Sequence, residues 1–279
     1  MIALILAIIS TIALFLLFKE FSKRSVNTDQ AITFNYLTAA LIALLTEDIN
    51  FNINKLINED WFYFAIALGI FFIIMFNIMA ICTQKLGISI SSITSKMSLI
   101  IPVIGAIIFQ NTSLSIYKAG GIIIALISVY LTLQKSKSTT IPLLALVLFF
   151  GAGTLDMWLD FIRNKYLSSS NDFNLFIITI FLSAFIIGTL KLIHKRYKFT
   201  LKNLFAGVIL GIPNYFSIYF VLLALENLGA IYVFPILNIG VVLFSAIISW
   251  MFYQEKMSTT NWTGVLLACL AIMIIIILP

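Results

Sequence analysis

The chain has 279 residues, 62% of them hydrophobic and 10% charged, and a mean hydropathy of +1.11. A soluble domain is about 45–50% apolar and about 25% charged, so this composition excludes a water-soluble enzyme. The net charge of +6 is scattered over short loops, which argues against nucleic acid as a partner.

About 20 apolar residues cross a bilayer as a helix. The apolar runs predict ten such spans, at 2–18, 30–46, 61–83, 89–109, 115–134, 141–162, 173–192, 201–224, 230–252 and 258–278. The runs are rich in Ile, Leu and Phe and do not alternate polar with apolar, which argues against a transmembrane β-barrel. The first run has no basic segment before it and no small-residue cleavage site, so it reads as a true helix rather than a cleaved signal. The longest loop, around Thr46 to Asp60, is too short for a catalytic domain. Cys82 and Cys269 lie inside apolar runs and read as small core residues. The fold class expected is all-α and integral to the membrane, with the lipid bilayer as solvent.

Basic residues are distributed unevenly between the two faces. Lys19, Lys23, Arg24, Lys85, Lys135, Lys137, Lys191, Lys195, Arg196, Lys198, Lys202 and Lys256 fall on one face; Lys55, Lys118, Arg163 and Lys165 fall on the other. The positive-inside rule places the first set in the cytoplasm and both termini outside a plasma (inner) membrane. Glu47, Asp48, Glu59 and Asp60 lie on the outer face and do not oppose this.

The chain also repeats itself. Lys85-Leu86-Gly87-Ile88-Ser89 recurs as Asn227-Leu228-Gly229-Ala230-Ile231, and Gly69 and Gly211 keep the same offset. Further on, Gly120 meets Gly264. The division expected is one five-helix repeat over 1–138 and a second over 139–279. Because five is odd, the second repeat enters the bilayer from the opposite side. Inverted repeats are how many secondary transporters build a midplane site served by two alternating gates.

The order Leu86-Gly87, Ile101-Pro102-Val103-Ile104-Gly105-Ala106, Gln110-Asn111, Ala119-Gly120 resembles the fourth and fifth helices of EamA-type drug/metabolite transporters. Leu228-Gly229, Gln254-Glu255 and Gly264 repeat the pattern in the second half. The chain departs from it at Asn111, where the family's first repeat has an acid, at Gln254, where it has glycine, and at Phe244, opposite Pro102. The resemblance implies ten helices in two halves, work as a monomer or homodimer, and termini in the cytoplasm, opposite to the Lys/Arg count.

Charges inside a bilayer cost about 2.5–3.5 kcal/mol near a helix centre, so they mark function by default. Lys96 in span 4 and Asp156 in span 6 qualify. Lys96 reads as the anchor for an anionic substrate group, since its ammonium is a compact charge with three donors. Asn35, Tyr36, Asn77, Asn214, Tyr215, Tyr219 and Asn238 are polar candidates for the cavity wall. Trp158, together with Phe150 and Tyr232, offers a face on which a planar group can stack. Asn214 follows Gly211 and Pro213; a proline frees a carbonyl and bends its helix, and discontinuous helices near the midplane are typical of transport sites. Gly207-x-x-x-Gly211, Gly121-x-x-x-Ala125 and Gly264-x-x-x-Ala268 allow backbones to approach closely.

The one histidine, His194, sits in a loop, so neither a metal site nor a cofactor is expected, and no phosphate-cradling Gly-x-x-x-x-Gly-Lys run is present. The function expected is secondary transport of a small polar or anionic organic metabolite, an amino acid or related compound, by alternating access. The alternatives are a transporter or flippase of lipophilic or lipid-linked cargo, and a non-transporting intramembrane enzyme.

Overall fold

The computed structural model describes residues 1–46, 56–109, 115–133, 140–167, 170–228, 230–255 and 257–277. They form helices and, among the described residues, no strand. The helices are α1 (Ile2–Lys23), α2 (Thr28–Thr46), α3 (Phe62–Leu86), α4 (Ile88–Met97), α5 (Ile100–Phe109) and α6 (Ile116–Leu133). They continue with α7 (Thr140–Tyr166), α8 (Ser170–His194), α9 (Leu201–Leu228), α10 (Ala230–Tyr253) and α11 (Thr259–Ile277). Segments of α1, α3, α8, α9 and α10 are long and apolar enough to cross a bilayer, and shorter apolar helices lie within 88–102, 119–132, 143–159 and 259–275. Ile5, Ile9, Ile74, Ile123, Phe205 and Phe252 are exposed, as lipid-facing side chains would be. The chain is an all-α, multi-pass integral membrane protein.

Span 4 was expected as one helix and is two. Pro102 has no N–H to give the Ser98 carbonyl, and its ring disfavours a continuous helix; it fits instead in the first turn of α5, where an N–H has no helical acceptor anyway. The Ser98 carbonyl takes the Ile101 N–H at 2.9 Å, a tighter turn than the α-helical one. A Cβ on Gly153 would stand 2.6 Å from the same carbonyl, so α7 approaches this break backbone to backbone. At Pro213, by contrast, α9 runs on without interruption from Leu201 to Leu228. Two close approaches to α2 brace it there: a Cβ on Gly207 would meet the Ala31 carbonyl at 2.7 Å, and one on Gly211 the Asn35 carbonyl at 2.8 Å.

Two compact units emerge, Met1–Lys19, Ile78–Thr154 and Phe216–Pro279 in the first, Glu20–Asn77 and Leu155–Tyr215 in the second. In the first, α6 packs along α11 and α4 along α10. Between lipid-like surfaces the hydrophobic effect gives little, so van der Waals contact and interhelical hydrogen bonds hold helices together. Gly121 lies against Ile275, and Gly264 against Thr132 and the Ser128 carbonyl, so α6 and α11 run antiparallel at close range. Ile93, Met97, Val129, Val242, Ala246, Val265 and Ala268 fill the core around them. At one end the Asn261 amide donates to the Thr132 carbonyl at 2.8 Å, while Ser258 and Asn261 cap α11 reciprocally.

The C-terminus of α10 carries a misfit. Gln254 stands at φ 51°, the left-handed region that favours glycine, so that the Glu255 N–H turns back to the Ser249 carbonyl at 3.2 Å. A side chain there costs about 1 kcal/mol. Gln254→Gly is therefore expected to stabilise the protein by about 0.5–1 kcal/mol, read as a higher melting temperature in detergent. An unchanged or lower value would contradict the strain.

In the second unit α2 packs on α8. Tyr36 is fully buried between Phe76 and Phe181, with ring centroids 5.6 and 6.1 Å away. Asn27 caps α2 by accepting the Gln30 N–H, and the Gln30 side chain reaches the Lys198 carbonyl and Asn203. Asp29, just outside the span expected at 30–46, accepts from Lys191 at 2.5 Å and Lys195 at 3.3 Å. Burial raises the pKa of this carboxyl, but the hydrogen bonds and charges of the two lysines outweigh it and hold it below its ordinary value. A depressed carboxylate stabilises above its unfolded pKa, near 3.9, and loses that contribution as pH falls through the folded value. Asp29→Asn should thus lower the melting temperature at pH 7 and by less at pH 3. A gap of equal size at both would sink this assignment.

Three packed pairs share a property. α2 with α8, α4 with α10, and α6 with α11 each join helices that hold the same place in the two sequence halves.

Candidate functional site

The break in span 4 organises the polar groups of the first unit. Residues 89–98 include Ser89, Ser91, Ser92, Thr94, Ser95 and Ser98, a density of hydroxyls unusual for an apolar span, and five of these six are buried. Ser92 meets Ser245 of α10 at 2.5 Å. Together with the meeting of the start of α4 and the end of α10 at Ile88 and Glu255, this contact makes the two helices antiparallel. Lys96 then lies one turn beyond Ser92, in the last turn of α4, and Asn238 two turns before Ser245, so the two stand about one turn apart in height, close to the break. Lys96 is half-buried, Asn238 only 9% exposed. Tyr219, in the same unit, is half-buried and packs edge-on to Phe216 at 6.1 Å.

Phe150, also of the first unit, is exposed, and the polar candidates other than these belong to the second unit together with Trp158. Asn214 and Tyr215 are neighbours on α9 and both buried; the Tyr215 hydroxyl pairs with that of Thr46 at 2.5 Å, which ties α9 to the end of α2. Asn77 donates to the Ile73 carbonyl of its own helix at 2.7 Å, the ordinary use of a polar group in a span. Trp158 packs on Phe71 with ring centroids 6.5 Å apart. Asp156 is exposed, and neither it nor Lys96 is without an interaction partner in the protein. Asn35 is wholly buried, and both polar atoms of its side chain lack a hydrogen-bond partner among the described residues, as does the Tyr36 hydroxyl. Buried carboxamides in that condition call for a water or a ligand.

One junction was not foreseen. Gly87, between α3 and α4, adopts φ 101° and ψ 168°, a conformation open essentially to glycine alone. Over it sits the Glu255 carboxylate, which accepts the Ile88 N–H at 3.0 Å, the Ser249 hydroxyl at 2.5 Å and the Lys19 ammonium at 3.2 Å. The acid thus accepts one N–H at the N-terminus of α4 and clamps α1, α4 and α10 together. Leu86-Gly87 and Gln254-Glu255, which stand in different halves of the sequence, meet in this one structure. Their recurrence was the available signal. Gln110, Asn111, Gly229 and Lys256 lie outside the described residues, as does the side chain of Tyr232.

No group of His, Cys, Asp and Glu among the described residues is arranged to hold a metal ion.

Residues 139–277 match the EamA-like transporter family. An uncharacterized protein of Haemophilus influenzae is 29% identical to this chain, the match covering 96% of this chain and 95% of that protein.

Proposed function

The chain belongs to the EamA-like transporter family, a family of membrane transporters in the drug/metabolite transporter superfamily, and from that premise we propose that it moves a small polar or anionic organic metabolite by alternating access. The observation that carries the substrate class is Lys96, a charge kept inside span 4 in the last turn before the helix breaks. Retaining it near a helix centre costs about 2.5–3.5 kcal/mol, which an anion-binding role explains. Lys96 already has an interaction in the protein, and an anionic group that displaced it would be a way for binding to favour one conformation over another. Asn238 on α10, in the same unit, supplies a neutral donor and acceptor suited to an amino acid or related compound. The pairing of corresponding helices across the halves favours a symmetric device with two gates.

Saturable uptake of labelled amino and organic acids into proteoliposomes tests the reading. Chemical conversion of such a compound without movement would overturn it.

The Lys/Arg bias favours a plasma-membrane protein with both termini outside. With Cys82 and Cys269 buried, Ile2→Cys and Lys195→Cys can be labelled separately. In intact cells an impermeant maleimide should modify position 2 and spare position 195; the reverse pattern would invert the orientation.

A further inference from the structure

Beside the Gly87–Glu255 junction lies a recess of about 220 Å³, lined among others by Lys19, Lys85, Ser89, Ile90, Thr132 and Asn261. At about 30 Å³ per water it has room for one phosphate-sized group with its hydration. Three features select a charge for it. Lys19 and Glu255 are paired with each other, whereas Lys85 is exposed and forms no ion pair among the described residues, leaving one positive charge uncompensated. The recess also adjoins the N-terminus of α4. There Glu255 satisfies the Ile88 N–H alone, and the N–H groups of Ser89 and Ile90 have no helical acceptor. The third feature is independent of the helix end: Ser89 is 2% exposed, and its hydroxyl has no hydrogen-bond partner among the described residues. A buried, unpartnered hydroxyl on the wall of a recess carrying a spare positive charge asks for an acceptor.

The geometry points to a binding site for a singly charged phosphate group, held by the Lys85 ammonium, the Ser89 hydroxyl and the free N–H groups of the first turn of α4. Such a group is offered by a phospholipid headgroup or by free phosphate. A second hollow of about 590 Å³, lined by Trp250, Met251, Gln254, Glu255 and Met257, adjoins the recess through Glu255 and Met257. Trp250 packs edge-on to Trp262 at 6.3 Å, and paired tryptophans at helix ends are the usual mark of headgroup level. The site stands apart from Lys96 and does not depend on what the protein transports.

The test compares melting temperatures of the full chain in detergent with inorganic phosphate against chloride at equal ionic strength, and in vesicles of phosphatidylcholine with and without phosphatidylglycerol. Stabilisation of a few degrees is expected in at least one comparison. A response to phosphate in detergent means the free ion suffices, and a response to phosphatidylglycerol alone identifies the headgroup. Ser89→Ala should fold with an unchanged ligand-free melting temperature and lose the response, as should Lys85→Gln. No response in either comparison, a response that both variants keep, or a ligand-free loss in Ser89→Ala overturns the proposal.

Discussion

Replacing Glu255 by alanine is expected to destabilise the protein by about 3–5 kcal/mol, the range for removing one partner of a buried charge pair. The carboxylate is the common acceptor for three donors, the Ile88 N–H, the Ser249 hydroxyl and the Lys19 ammonium. Ile88 and Ser249 are fully buried, and the Lys19 and Glu255 side chains are only 21% and 17% exposed, so water cannot readily replace the lost acceptor. Glu255→Gln keeps an oxygen for the Ile88 N–H and should cost less than half as much. Gly87→Ala attacks the same junction from the other side. Its Cβ would lie 2.5 Å from both carboxylate oxygens, and its φ of 101° is unfavourable to any side chain. Alone, it should cost about as much as Glu255→Ala. In the double variant the collision is gone and only the backbone strain is added, so the two losses should fall well short of summing. Denaturation in mixed detergent reads all four proteins. Additive losses, or a loss below about 1 kcal/mol in Glu255→Ala, would show that the carboxylate does not clamp the three helices.

How far such features can be read in a sequence depends on whether they are local. Helix positions are local: a span expected at 115–134 is α6 at Ile116–Leu133, and one expected at 61–83 is α3 at Phe62–Leu86, because bilayer crossing demands one long run of apolar residues. The division of span 4, which was expected as one helix, also turns on local features, Pro102 and the serine-rich stretch before it. The same reasoning drew attention to Pro213, where close approach to α2 at Gly207 and Gly211 braces the helix. A proline states that a helical hydrogen bond is missing; only its neighbours decide whether the helix then breaks. The Glu255 junction is the opposite case. Lys19, Gly87 and Glu255 are separated by 68 and 168 positions, and no periodicity or spacing predicts that they meet. What the sequence did carry was the recurrence of Leu-Gly in both halves, read as a family pattern before its physical reason was known. Lys96 was legible because its cost is intrinsic to its place in a span, while the use of its charge is decided by groups from other helices.

Lys96→Ala is the substitution expected to affect transport most. Losing a desolvated ammonium–anion contact typically costs 2–5 kcal/mol, equivalent to a fall in substrate affinity of about 30- to 5,000-fold. Lys96→Arg keeps the charge but replaces a compact ammonium with a planar fork, so partial activity is expected for a carboxylate substrate, which accepts both geometries. The outcome must be separated from misfolding, and stability supplies the second reading. Lys96 has an interaction partner in the protein, so removing it alters the melting temperature whether or not it binds substrate. The discriminating quantity is the ligand-induced shift. A transported anion at 100 times its Kd stabilises the folded state by about 2.7 kcal/mol, and a variant with the anchor removed should show no more than about 0.9 kcal/mol of this at the same concentration. Asn238→Ala, about one turn away and uncharged, should reduce the shift without abolishing it. If Lys96→Ala melts early yet keeps the full shift and the wild-type Kd for uptake, the lysine is structural. The substrate would then have to be recognised by neutral groups, with the unpartnered carboxamide of Asn35 the first to test.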